Sequence, residues 1–305
     1  MKKLGAIILC ALLTFSLVSC NQPKKSATTD GQQSDSISIP TVTLNNGVKM
    51  PVLGFGTLEL KDSVGINSVA KAIASGYRLI DTAPIYGNET EVGAGIKRSG
   101  IDRKELFITT KLWVDDMGYE SAKKALESSL QKLGVDYIDL YLIHRPRGDV
   151  KGSWQAMEEL YEAGKIKAIG VSNFDSVQLN DLLSYAKIKP AVNQIETHPF
   201  FQQFEAQDML KKLDIQMEAW SPFAGGRNAI FDNPVLAAIG KKYNKTNAQV
   251  ALRWIVQRGI VTIPRTDNEK HMLENISIFD FELNDADMKE IAALDLNTTQ
   301  FPEWE

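Results

Sequence analysis

The chain has 305 residues, 44% hydrophobic and 24% charged, with 21 Gly and 11 Pro. These values exclude a disordered, collagenous or coiled-coil protein and leave room for two ordinary domains or one large barrel. With 34 Lys and Arg against 38 Asp and Glu, the formal charge of -4 gives no general attraction to nucleic acid or anionic lipid.

The first segment reads as an address. Lys2 and Lys3 precede the apolar run 4–18, the basic and hydrophobic regions of a secretory signal, and the run is too short for a lasting membrane span. It ends Leu17-Val18-Ser19-Cys20, which resembles the lipobox of bacterial lipoproteins, in which the cysteine is lipidated and becomes the mature N-terminus. The expectation is therefore a signal peptide over 1–20, a lipid anchor at Cys20, and a membrane-anchored location on the periplasmic or other extracytoplasmic face. An ordinary cleaved signal or a hydrophobic N-terminal anchor is the alternative. Cys10 and Cys20 are the only cysteines, so the body has no thiol for an internal disulfide. Residues 21–36 carry no large apolar side chain and are expected to form a flexible tether.

The body, 37–305, opens with an alternating run over 37–44, Asn45-Asn46-Gly47, and a second run over 48–52, the pattern of a β-hairpin. Eight short apolar runs follow, at 53–56, 77–81, 106–111, 138–144, 166–171, 191–195, 216–220 and 260–263. Helical spacing occupies intervening stretches such as 64–75, 119–133, 153–163, 176–185, 204–213 and 248–257. This unbroken alternation predicts an α/β fold, a (β/α)8 TIM barrel with an N-terminal β-hairpin. A doubly wound sheet is the runner-up, but no G-x-G-x-x-G follows an early strand.

In such a barrel chemistry sits at the C-terminal ends of the strands. The second, third and fourth runs end at Asp81, Lys111 and His144, and Tyr86 lies in the loop after Asp81. Singly, each has a structural explanation: a turn-forming acid, a solvated strand end, a core histidine, a packed loop tyrosine. At one shared level they form an acid–base set. A free phenol has a pKa of about 10, and a neighbouring ammonium lowers it. Lys111 would do this for Tyr86, with Asp81 orienting Lys111, while His144 hydrogen-bonds a substrate oxygen that Tyr86 protonates. Such an arrangement prepares a carbonyl to receive hydride.

At this point the sequence resembles the aldo-keto reductase family. The matching motifs are Gly76-Tyr-Arg-Leu-Ile-Asp-Thr-Ala-Pro-Ile-Tyr-Gly-Asn-Glu-Thr-Glu-Val-Gly93, Ile108-Thr-Thr-Lys-Leu-Trp113, Gly170-Val-Ser-Asn-Phe174, Val192-Asn-Gln-Ile-Glu-Thr-His-Pro199, Ala219-Trp-Ser-Pro222 and Gln257-Arg-Gly-Ile-Val-Thr-Ile-Pro264. The resemblance covers essentially 43–295. It implies an NAD(P)H-dependent oxidoreductase that reduces aldehydes or ketones, with Asp81, Tyr86, Lys111 and His144 as its catalytic tetrad. It places Gly56, Thr57, Ser172, Asn173, Gln194, Trp220, Ser221 and Gly225 along the cofactor, with Ser172, Asn173 and Gln194 at the nicotinamide carboxamide and Trp220 stacked on the ring. Arg265 and Thr266 match a Lys-Ser pair at the adenosine 2'-phosphate, and Glu274 and Asn275 match adenine contacts.

Three positions depart from the family pattern. His271 stands where an Arg is common, which weakens charge complementarity for NADPH and makes NADH use more plausible. Leu58 and Arg145 stand where pocket tryptophans are usual, beside Trp113, which is retained; all three are candidate substrate contacts. Arg145 either favours substrates bearing a carboxylate or phosphate or points outward to pair with an acid. The tail after Asp295 is short and is expected to contribute little specificity. There is no H-E-x-x-H or C-x-x-C, so no metal is expected. A monomer acting on a small carbonyl substrate, with no nucleic-acid partner, is the leading reading. A cofactor-bound sensor or interaction module on the same barrel is the rival, favoured only by the exported location, where reduced nicotinamide is not supplied.

Overall fold

The computed structural model describes Met1 and residues 39–304. The expected signal, Cys20 and the 21–36 tether lie outside the described residues. Two strands, β1 (Thr41–Thr43) and β2 (Lys49–Pro51), pair antiparallel with Val42 opposite Met50. Gly47, at φ +86, closes their turn by donating to the Leu44 carbonyl, as the Asn-Gly step demanded. Asn45 donates to the carbonyls of Pro190 and Asp214, and Asn46 to that of Lys167, so the hairpin is fastened at the starts of three later strands.

Eight parallel strands follow: β3 (Gly54–Gly56), β4 (Leu79–Asp81), β5 (Phe107–Leu112), β6 (Ile138–Ile143), β7 (Ile166–Ser172), β8 (Val192–Glu196), β9 (Gln216–Trp220) and β10 (Val261–Thr262). They stand in sequence order, and a parallel bridge between Leu53 and Thr262 joins the two edges. The result is the expected (β/α)8 barrel with an N-terminal hairpin. The helices between strands are α1 (Asp62–Ala74), α2 (Glu89–Ser99), α3 (Tyr119–Leu133), α4 (Val150–Glu162), α5 (Ser176–Tyr185), α6 (Phe204–Lys212), α7 (Pro234–Tyr243) and α8 (Asn247–Gln257), and α9 (Glu269–Ile276) and α10 (Asp285–Ala292) follow β10.

Both faces of the strands are buried, which is why they read as continuous apolar runs. Alternation sorts the side chains all the same. Ile80, Ile108, Tyr141, Ile143 and Ile169 point outward into the layer shared with the helices, where α3 offers Ala122, Leu126 and Leu133 from one stripe. Leu79, Leu140, Leu142, Ala168, Val192 and Val261 point inward and pack with Leu44 and Met50 of the hairpin, which plugs the lower end. At Gly170 a Cβ would lie 2.6 Å from the Val192 carbonyl oxygen and 2.8 Å from Leu142 Cδ2, so the interior admits only glycine there.

Inward parity then continues upward. Asp81 follows Leu79, Lys111 follows Phe107 and Thr109, Ser172 follows Ala168 and Gly170, Gln194 follows Val192, and Trp220 follows Glu218. The apolar lower barrel therefore sets the register of a polar upper layer.

Candidate active site

Lys111 is fully buried and donates to Asp81 Oδ1 at 2.7 Å, to the Tyr86 hydroxyl at 3.1 Å and to the Thr82 carbonyl at 3.2 Å. All three ammonium hydrogens are thus engaged. Burial works to lower the Lys111 pKa, but the charges of Asp81 and Tyr86 and its hydrogen bonds to both outweigh it and hold the ammonium above its ordinary value.

Tyr86 ends a short 3-10 turn, Pro84–Tyr86, which Gly87 terminates at φ +64 with its N–H on the Pro84 carbonyl. The turn is held by Asn88, whose Nδ2 donates to the carbonyls of Thr57 and Leu60 and whose Oδ1 accepts from Thr82. Burial raises the Tyr86 pKa more than Lys111 lowers it, and Asp81 and Glu218 add to the rise. The expected influence of Lys111 is present, but desolvation of the phenol outweighs it.

His144 follows β6, with its N–H on the Leu112 carbonyl and its own carbonyl accepting from Asn173. The Trp113 and Tyr86 rings meet its imidazole edge-on at 5.0 and 5.9 Å. Its Nδ1 is buried without a protein partner, leaving Nε2 as the nitrogen toward the cleft. Burial first, then the charges of Lys111 and Arg145, push its pKa well below the usual histidine value, so the ring is neutral. A neutral imidazole is a hydrogen-bonding group here rather than the acid.

Asp81, Tyr86 and His144 line a cleft of about 1010 Å³, with Lys111 buried behind them. Gly56, Thr57, Leu58, Trp113, Arg145, Ser172, Asn173, Gln194, Trp220, Ser221, Gly225 and Arg265 all line it. Thr266, His271, Glu274 and Asn275 lie outside its lining. Thr266 Oγ1 accepts from the Asn268 N–H, Asn275 is buried in α9, His271 is exposed on α9, and Glu274 sits 3.6 Å from Lys270. Arg265 pairs with Glu59, which also lines the cleft.

The polar end facing Trp220 is largely self-satisfied. Asn173 Nδ2 donates to the His144 carbonyl and to Ser172 Oγ, its Oδ1 accepts from Trp220 Nε1 at 2.8 Å, and Ser172 donates to the Gln194 carbonyl. Gln194 Nε2 donates to both Asp81 Oδ2 and Glu218 Oε2, at 2.9 Å each. Free acceptor capacity remains on Asn173 Oδ1 and Gln194 Oε1, which suits a carboxamide NH2. An indole beside amide acceptors at the floor of a long cleft thus fits a nicotinamide.

Two contributions escaped the sequence. Glu218 is buried at the centre of the barrel, and its inward position two residues before Trp220 was the available signal. The tail, expected to contribute little specificity, is the other, because it supplies part of the cleft wall. Phe301 and Trp304 pack on Trp220 with ring centroids 5.2 and 5.5 Å away, and both line the cleft. The tail docks because the buried Glu196 accepts from Thr299 Oγ1 and from the Gln300 N–H, while Arg227 pairs with Glu303. Among the described residues no group of three or more His, Cys, Asp or Glu could hold a metal ion.

The family model described as "Aldo/keto reductase family" matches residues 52–296. The glyoxal reductase of Bacillus subtilis is 52% identical over 256 residues, 83% of this chain and 92% of that protein. The crystal structure of an aldo-keto reductase enzyme from a Medee basin deep-sea metagenome library is 46% identical with a TM-score of 0.83, covering 84% of this chain and 96% of that one. A Bombyx mori aldo-keto reductase in complex with NADP is 35% identical with a TM-score of 0.82, covering 86% and 95%.

Proposed function

For a chain that belongs to the aldo/keto reductase family and is an NAD(P)H-dependent oxidoreductase, we propose that Tyr86 is the proton donor in the reduction of an aldehyde or ketone. The carrying observation is the continuous contact Asp81–Lys111–Tyr86 at the floor of the cleft, with the neutral His144 alongside. A nicotinamide bound over Trp220 would supply hydride to the carbonyl carbon. Ser172, Asn173 and Gln194 would hold its carboxamide, and Gly56, Thr57, Ser221, Gly225 and Arg265 would flank the rest of the dinucleotide. Thr266, His271, Glu274 and Asn275 would serve its adenosine end, next to the cleft rather than within it.

Within that frame the residues divide the work. His144 Nε2 fixes the substrate oxygen, Tyr86 delivers a proton to it, and Lys111 stabilises the phenolate left behind. Asp81 keeps the ammonium in place. NADPH is the favoured reductant, since Arg265 keeps a guanidinium for a phosphate, and NADH remains usable because His271 replaces an arginine. Leu58, Trp113 and Arg145 shape the substrate side, and Arg145, whose charge acts on His144, suits substrates bearing an anionic group.

The N-terminal sequence motivates a second part of the proposal: an exported monomeric lipoprotein held at a membrane through Cys20, with 21–36 as spacer and 37–305 as the enzyme. Mass spectrometry of the N-terminal peptide from a membrane fraction tests it, and an unmodified Cys20 would refute lipidation. The activity is tested by supplying the body from Ser36 with NADPH or NADH and a panel of aldehydes, and following loss of the reduced cofactor. Cofactor binding without turnover on any carbonyl would favour a sensor instead.

A further inference from the structure

Glu218 is the ionisable group that the reductase chemistry leaves unused, although it sits in the same layer. It projects inward from β9 with no exposure, its Oε2 accepts from Gln194, and its Oε1 is buried without a partner. Gln194 Nε2 places its two hydrogens on two carboxyl groups, Glu218 and Asp81, so the contacts run unbroken from Glu218 through Gln194, Asp81 and Lys111 to Tyr86.

The groups that face Glu218 are few. Asp81 from β4, Lys111 from β5 and Tyr86 from the turn after β4 are the ionisable ones acting on it or on which it acts. Its register partners on β8 and β10, Gln194 and Val261, carry no charge. The layer therefore holds two carboxyl groups against one ammonium. With both ionised, a net negative charge would be buried without compensation, which is costly. With one proton on Glu218, the Asp81–Lys111 pair is balanced.

We propose that Glu218 is a positioning residue for the tetrad: through Gln194 it fixes the second oxygen of Asp81, and by holding or releasing a proton it sets the net charge beneath Tyr86. This rests on the reading of Tyr86 as proton donor. Burial and the nearby charge of Asp81 push the Glu218 carboxyl up to about 8, against the Gln194 hydrogen bond and Lys111. Its ionisation raises the proton affinity of Tyr86, so proton donation to the carbonyl slows.

The experiment uses Glu218→Gln in the full chain, which keeps shape and a hydrogen-bond acceptor but cannot ionise. Carbonyl reduction is followed from pH 6 to 9.5 for both proteins with saturating reduced cofactor. The parent rate is expected to fall about fivefold through an inflection near 8, because only part of the change in Tyr86 proton affinity is felt in the transition state. The variant is expected to hold its rate within about twofold over the same range, with an unchanged KM for cofactor. An identical inflection in both proteins would overturn the proposal.

A second measurement needs no turnover. Infrared difference spectra of the parent are expected to show a buried protonated carboxyl at pH 7 that is lost toward pH 9 and absent from Glu218→Gln. A parent without that band would overturn the proposal whatever the activity. The band together with no reduction of any carbonyl would instead remove the reductase reading and leave the protonated state of Glu218 established.

Discussion

Asp81 and Lys111 lie on neighbouring strands, yet their side chains meet at 2.7 Å because the register pairs Asp81 with Thr109 and Lys111 stands two residues further on the same inward face. A one-residue slip of β5 would turn Lys111 outward and leave Asp81 buried alone. The apolar packing of Leu79, Phe107 and Leu140 below thus enforces the Asp81–Lys111 ion pair above. This relationship underlies the expected behaviour of several variants.

Tyr86→Phe removes the donated proton and the hydroxyl that accepts from Lys111, while the Asn88 clamp still holds the turn through backbone carbonyls. Reduction should fall by about 10²–10⁴-fold, while cofactor affinity, read by protein fluorescence quenching, stays within about twofold. Comparable activity in the variant would remove Tyr86 from the chemistry.

Asp81→Asn removes the carboxylate that accepts from the buried Lys111 ammonium and leaves only Glu218, which makes no hydrogen bond to it, as a counter-charge in that layer. Breaking such a pair costs about 3–5 kcal/mol, so the urea midpoint should drop markedly along with activity. A midpoint equal to the parent's would show that the pair is not a structural constraint.

Glu218 also gives stability a pH dependence. Its folded-state carboxyl is raised to about 8 from an ordinary 4.5, so its contribution is fully present below 4.5 and is lost as pH rises through about 8. Thermal melts should show Glu218→Gln gaining on the parent between pH 6 and 9. A difference in Tm that is constant over that range would contradict the raised carboxyl.

Arg145→Trp should reduce the preference for a carboxylated over a neutral aldehyde by about tenfold in kcat/KM, the scale of one charge-assisted hydrogen bond. An unchanged ratio would place Arg145 outside substrate recognition.

Phe301→Ala opens a gap beside Trp220 at a site that is 3% exposed. A loss of about 3 kcal/mol is expected from the cavity, together with weaker cofactor binding, measured by denaturation and by titration. Unaltered cofactor affinity would confine the tail to a structural role.

How much was legible follows from what each feature depends on. The eight strand runs, the hairpin turn at Gly47 and the placement of Asp81, Lys111 and His144 at strand ends are local signals, because period, turn chemistry and parity are properties of short segments. Glu218 was not singled out because a lone carboxyl in a strand has no signature until barrel closure brings β4, β8 and β9 around one point. The tail escaped for the same reason: Glu196 and Thr299 are distant in sequence and touch only in the folded chain. Nor could sequence weigh Lys111 against burial at Tyr86, since desolvation depends on how tightly the surrounding elements pack.

By itself, the sequence determined the barrel, its N-terminal hairpin, the family likeness and the four residues proposed to carry the chemistry, since each is written in local pattern and motif. The tertiary structure alone decided which carboxyls are desolvated, which amide hydrogens are already spent and which aromatic rings cover Trp220. Those outcomes depend on through-space distance and burial, quantities that exist only once the strands have closed around a common axis.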